Sequence, residues 1–130
     1  MYSPRILVVD DLDSKREYLE SLTRSSCPEA EVVTATCTRE AQRIIRLMGP
    51  NNFTGGVIDF DLGDGDGGEV IEDLRNANPL ACITLATARR DESFEEEAAP
   101  IAMASGADEA LSTCQEDFES RMHGVLTMAA

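Results

Sequence analysis

Short apolar runs alternate with helical patterns along the whole of this chain, and that alternation constrains the fold more than any other feature. Arg5-Ile6-Leu7-Val8-Val9 is β-branched and ends in Asp10-Asp11. Apolar at consecutive positions, it reads as a strand buried on both faces, since a strand with one wet face would alternate. The pattern predicts a helix over about Ser14 to Ser25, with Tyr18, Leu19 and Leu22 on one side and Asp13 as its N-cap. Glu31 to Cys37 reads as a second strand. Thr38 caps a helix whose Ala41, Ile44, Ile45 and Met48 recur at helical spacing. Gly49-Pro50-Asn51-Asn52 ends it.

Gly56 to Phe60 reads as a third strand, followed by a glycine- and aspartate-rich loop from Asp61 to Gly68. Val70, Ile71, Leu74 and Ala77 mark a helix stopped by Asn78-Pro79, and Ala81 to Thr87 is a fourth strand. Arg89 to Ala99 reads as a long polar stretch carrying Glu95-Glu96-Glu97, a solvated face. Pro100 starts a short helix that Gly106 ends. Glu109 to Ser112 is a weak fifth strand, and Phe118, Met122, Val125 and Leu126 stripe a last helix. Strands alternating with helices imply a parallel sheet covered on both faces. With right-handed crossovers, the expected strand order is 2-1-3-4-5, a doubly wound α/β fold. That order makes strands one and three neighbours at the switch point, where such sheets bind ligands beyond the strands' carboxyl ends.

Asp10 and Asp11 close strand one and Asp59 closes strand three, so three carboxylates are expected at one sheet edge. Carboxylates a few ångströms apart repel by roughly several kcal/mol at an effective dielectric of ~20. A divalent cation, a basic side chain or protonation must compensate. An all-oxygen donor set suits a hard ion, and magnesium fits a site of few carboxylates, a backbone carbonyl and retained waters. The simpler reading is that these acids cap helices and face water, but each of them closes an apolar run.

The 130 residues fit one domain, 1–130. Eleven basic against 25 acidic side chains give a formal net charge of −14, which argues against nucleic acid and anionic membrane surfaces as partners. Cys27, Cys37, Cys82 and Cys114 form no CxxC pair and read as free thiols of a reducing compartment. With no charged-then-apolar leader and no membrane-length apolar run, the expected location is cytoplasmic.

The same residues carry a family resemblance. Ile6-Leu7-Val8-Val9-Asp10-Asp11 resembles the first strand of response regulator receiver domains, and Val57 to Gly67 resembles their third strand and following loop. Asp66-Gly67, Thr87-Ala88 and Gly106-Ala107-Asp108 each fall where that family has a similar motif. The resemblance covers essentially the whole chain. It implies a flavodoxin-like fold and a phosphoacceptor role for Asp59 in two-component signalling. Asp10, Asp11, Asp59 and the Asp61 backbone carbonyl would hold magnesium. Thr87 would bond a phosphoryl oxygen and Ala88 leave room for it. A sensor histidine kinase or phosphotransfer protein would donate the phosphoryl group, and a downstream protein would read the result. The fourth helix, fifth strand and fifth helix would form the surface whose contacts change.

Three positions depart from the family. Its strand-five lysine aligns with Thr113, the following proline with Cys114, and the strand-five aromatic with Ala110. The chain's only lysine is Lys15, which belongs to the first helix. Arg89 and Arg90, on the polar stretch after strand four, are the candidates to supply the missing cation. Phosphorylation with altered output and a phosphorylation-independent interaction module are therefore both open. A third reading takes Asp59-Phe60-Asp61 as the DxD motif of haloacid-dehalogenase-like phosphatases, although that motif normally closes the first strand. EF-hand spacing fails, because counting from Asp59 puts Gly63 at position five and Val70 at position twelve. His123, the single histidine, reads as a surface residue of the last helix.

Overall fold

The computed structural model describes residues 3–129. The strands are β1 (Arg5–Val9), β2 (Glu31–Ala35), β3 (Gly55–Ile58), β4 (Cys82–Thr87) and β5 (Glu109–Ser112). The helices are α1 (Asp13–Ser26), α2 (Thr38–Met48), α3 (Gly67–Ala77), α4 (Ala99–Ser105) and α5 (Phe118–Met128). Every strand pairing is parallel, in the order β2-β1-β3-β4-β5 that the alternation predicts. No helix among the described residues is long and apolar enough to cross a membrane.

Side chains alternate across the sheet with a period of two. Ile6, Val8, Val57, Ala86 and Leu111 face Leu19 of α1 and Phe118, Met122 and Leu126 of α5. Leu7, Val9, Ile58, Ile83 and Leu85 face Ala41 and Ile45 of α2, Val70, Ile71 and Leu74 of α3, and Ala102 of α4. Both sheet faces are therefore dry, and full burial of each large aliphatic side chain contributes about 1.5–3 kcal/mol. The same alternation decides which face receives the residues just past each strand.

Several boundaries differ from the sequence expectation for local reasons. Asp13 is not the cap of α1: Leu12 holds the N-cap position, and Asp13 pairs with Arg16 at 2.6 Å. Thr38 likewise opens α2 instead of capping it. The cap comes from Asp64, in the loop after β3, whose carboxylate accepts from the Thr38 N–H at 2.8 Å and the Arg39 N–H at 3.0 Å. The N–H groups of Arg39 and Thr38 hold its carboxyl below the usual range. Asp66 caps α3 locally, accepting from the Gly68 N–H at 2.8 Å.

The largest departure is the stretch after β4. It is helical, a π-helical segment over Ser93–Ala98 running directly into α4. Pro100 lacks an N–H and its ring crowds the carbonyl four residues back, so a wider turn relieves an otherwise broken helix. Phe94 and Ala98 anchor the segment on the core. The glutamates Glu95, Glu96 and Glu97 face solvent, as expected. Gly106 ends α4 with φ 115°, a left-handed conformation suited to glycine, and the Ala107 N–H donates back to the Ala102 carbonyl at 3.0 Å.

Candidate phosphoacceptor site

The β-ladder continues one residue past the strand ends. The Asp59 N–H donates to the Val9 carbonyl at 2.9 Å and the Asp10 N–H to the Ala35 carbonyl at 3.2 Å. Since Val9 pairs with Ile58, Asp10 and Asp59 come side by side. By alternation both share the face of Val8 and Val57, the one covered by α1 and α5. Carboxylate oxygens of Asp10, Asp11 and Asp59 lie within 4.8 Å of one another. Asp10 is fully buried and Asp59 6% exposed, whereas Asp11 is exposed.

The cation of this cluster is Lys15. Its ammonium donates to Asp59 Oδ1 at 2.9 Å and to the Ala86 carbonyl at 3.2 Å, and sits 3.0 Å from Asp10 Oδ2. Asp10 Oδ2 has no aligned hydrogen bond, so that contact is an ion pair without directional bonding. The other Asp10 oxygen accepts from the Leu12 N–H at 3.0 Å and fixes the turn into α1. Burial pushes the Asp59 carboxyl above the usual range and Asp10 adds to that; Lys15 and the Phe60 N–H oppose it without cancelling it.

The expectation that Arg89 or Arg90 supplies the missing cation is corrected by this geometry. Arg89 grips Asp61 with two bonds of 2.9 and 2.8 Å, reaches Glu97 at 2.7 Å, and lies 4.7 Å from the centre of the Phe60 ring. Arg90 is exposed and borders a surface cavity with Phe94, Ser112 and Cys114. A sequence signal for Lys15 existed. Lys15, Leu19 and Leu22 fall on one helical face, and helical side chains lean towards the helix N-terminus, here the carboxyl end of β1.

Thr87 closes β4 and is buried; its hydroxyl accepts from the Arg89 N–H at 3.3 Å. Ala88 is exposed just beyond it. The Thr113 N–H donates to the Thr87 carbonyl at 2.8 Å, and the Cys114 thiol approaches the Ala88 carbonyl at 3.5 Å, so the tops of β4 and β5 stay joined. Ala110 is partly buried opposite Leu85. His123 is exposed on α5.

The donor set fits a hard divalent cation. All three side chains offer oxygens, and three carboxylates less one ammonium leave two negative charges. Asp11 is the exposed member of the three, and the contacts of Lys15 go to the other two.

The sequence matches no protein-family model and no curated protein. Solved structures do match. A CheY-like response regulator receiver domain from Methanospirillum hungatei JF-1 is 21% identical, with a TM-score of 0.75, covering 98% of this chain and 97% of that one. A receiver domain from Clostridium thermocellum is also 21% identical, with a TM-score of 0.77 and coverage of 97% and 93%. A response regulator from Burkholderia pseudomallei, holding a phosphorylated aspartic acid and a calcium ion, is 25% identical, with a TM-score of 0.71 and coverage of 97% and 68%. With the sheet order, the flanking helices and these likenesses spanning nearly all of its length, the chain has the fold of response regulator receiver domains.

Proposed function

We propose that residues 1–130 form a phosphoacceptor receiver domain in which Asp59 takes a phosphoryl group and magnesium is held by Asp10, Asp11, Asp59 and the Asp61 carbonyl. The observation that carries this reading is the adjacency of Asp10 and Asp59 across β1 and β3, with Asp11 within ligand distance and a lysine ammonium between them. A carboxylate oxygen of Asp59 attacks phosphorus. A P–O bond forms, the donor's bond to phosphorus breaks, and the donor leaves with that electron pair. Desolvation favours the step, because a buried carboxylate has few waters to shed. Magnesium, when bound, offsets charge on the phosphoryl oxygens. The Thr87 hydroxyl, at the end of the neighbouring strand, bonds one of those oxygens, and the absence of a side chain beyond Cβ at Ala88 leaves room. The phosphorylated aspartic acid and the calcium ion of the similar Burkholderia structure support both halves of the reading.

The donor is a sensor histidine kinase or phosphotransfer protein, and the output is contact with a downstream protein through α4, β5 and α5, in the cytoplasm. This is signalling rather than turnover. A second reading, an interaction module indifferent to phosphorylation, draws on Ala110, which is too small to carry a coupled aromatic motion. The phosphatase reading is disfavoured by Asp61. Its carboxylate is clamped by Arg89, so it is poorly placed to act as a general acid.

The test is incubation with a small phosphodonor and magnesium, read by intact mass. Wild type is expected to gain one phosphoryl group, labile to hydroxylamine, and Asp59→Asn none. Equal labelling of the two proteins, or none of wild type, contradicts the proposal.

A further inference from the structure

We infer that Lys15, from the first turn of α1, is the cation that clamps the acceptor carboxylate and the incoming phosphoryl group, in place of any residue of β5. The inference rests on the phosphoacceptor reading of Asp59 and adds to it the residue that balances the pocket's charge.

Three observations point the same way. The Lys15 ammonium contacts both buried carboxylates, Asp59 at 2.9 Å and Asp10 at 3.0 Å, and its side chain is only 14% exposed. Its third contact, the Ala86 carbonyl at 3.2 Å, ties it to β4, one residue before Thr87. A lysine in the first turn of a helix also opposes the helix dipole, an unfavourable placement. It carries no compensation in α1 itself; the compensating groups are the two carboxylates of the site.

The chemistry follows from this position. Before transfer the ammonium holds the Asp59 carboxylate in one rotamer. When the P–O bond forms, the Asp59 oxygens lose charge and the phosphoryl oxygens bring more, so the same ammonium faces new acceptors without moving far. Thr113, at the end of β5, carries the parity of Leu111, which faces α1 and α5. A lysine there would approach the cluster from the same side of the sheet, so the position of the charge can be exchanged between two elements.

The experiment measures labelling rates by a small phosphodonor at saturating magnesium for wild type, Lys15→Gln, Lys15→Arg and the double variant Lys15→Gln with Thr113→Lys. Melting curves confirm that each is folded. Lys15→Gln is expected to label at least about tenfold more slowly, as loss of a charge-assisted contact to the reacting group would give. Thr113→Lys is expected to recover most of that loss, and Lys15→Arg part of it. A Lys15→Gln rate within about fivefold of wild type overturns the inference while leaving the phosphoacceptor reading intact. So does a larger loss that neither lysine relocation nor arginine recovers, since that marks a purely structural role. A wild-type protein that takes no label removes the phosphoacceptor reading itself, and the clamp with it.

Discussion

Gly67→Ala is expected to destabilise the protein by about 3 kcal/mol and to lower its melting temperature by roughly 10 °C, the scale of forced overpacking in a domain of this size. A Cβ on Gly67 would lie 2.1 Å from the Asp59 carbonyl oxygen and 3.0 Å from its carbonyl carbon. Both obstacles are backbone, so no rotamer change relieves them. Neither partner can retreat cheaply. Asp59 is tied to β1 through the Val9 carbonyl, and the Gly67 N–H donates to the Phe60 carbonyl at 2.7 Å. Asp66 pins the start of α3 through Gly68. The close approach of α3 to the end of β3 is therefore part of what aims Asp59 into the cleft, and only glycine permits it. Thermal unfolding followed by circular dichroism checks the expectation. A melting temperature within about 2 °C of wild type would mean that the loop opens freely, against this account.

Asp11→Asn is expected to weaken magnesium binding at least about tenfold while changing the melting temperature little, because an exposed side chain contributes little to folding. Asp10 and Asp59 share Lys15, so the balance of charge left for a divalent ion falls most heavily on Asp11. Replacing it leaves one net negative charge where there were two. Titration of magnesium, monitored by calorimetry or by the amide resonances around Asp11, reads the effect. Unchanged affinity in Asp11→Asn would place the ion elsewhere.

The parts of this site that were legible in the sequence are those set by short-range periodicity. Unbroken apolar runs imply both-face burial, the strand–helix alternation implies the order of the sheet, and the adjacency of strands one and three brings Asp10 and Asp59 to one sheet edge. What escaped was set by long side chains and distant partners. Lys15 lies 44 positions from Asp59, and its shared face with Leu19 and Leu22 marks it as inward-leaning without naming the carboxylate it reaches. Asp64 caps a helix 26 positions before it, so the local capping pattern pointed to Thr38 instead. The stretch from Arg89 to Ala99 looked like a loop because only Phe94 and Ala98 anchor it. A π-helical turn before Pro100 leaves no simple helical period to read. Arg89 was a reasonable candidate by sequence position, but Asp61 and Glu97, on either side of it, claim its guanidinium.

The central claim is that Asp59 is the reactive carboxylate of a cleft shared by one metal ion and the Lys15 ammonium. A crystal structure with magnesium and beryllofluoride tests it most directly. The account predicts a beryllofluoride group on an Asp59 oxygen, a metal ion held by Asp10, Asp11, Asp59 and the Asp61 carbonyl, and the Lys15 ammonium against a fluorine. An adduct on another residue, or an Asp59 left unmodified with metal bound, would contradict it.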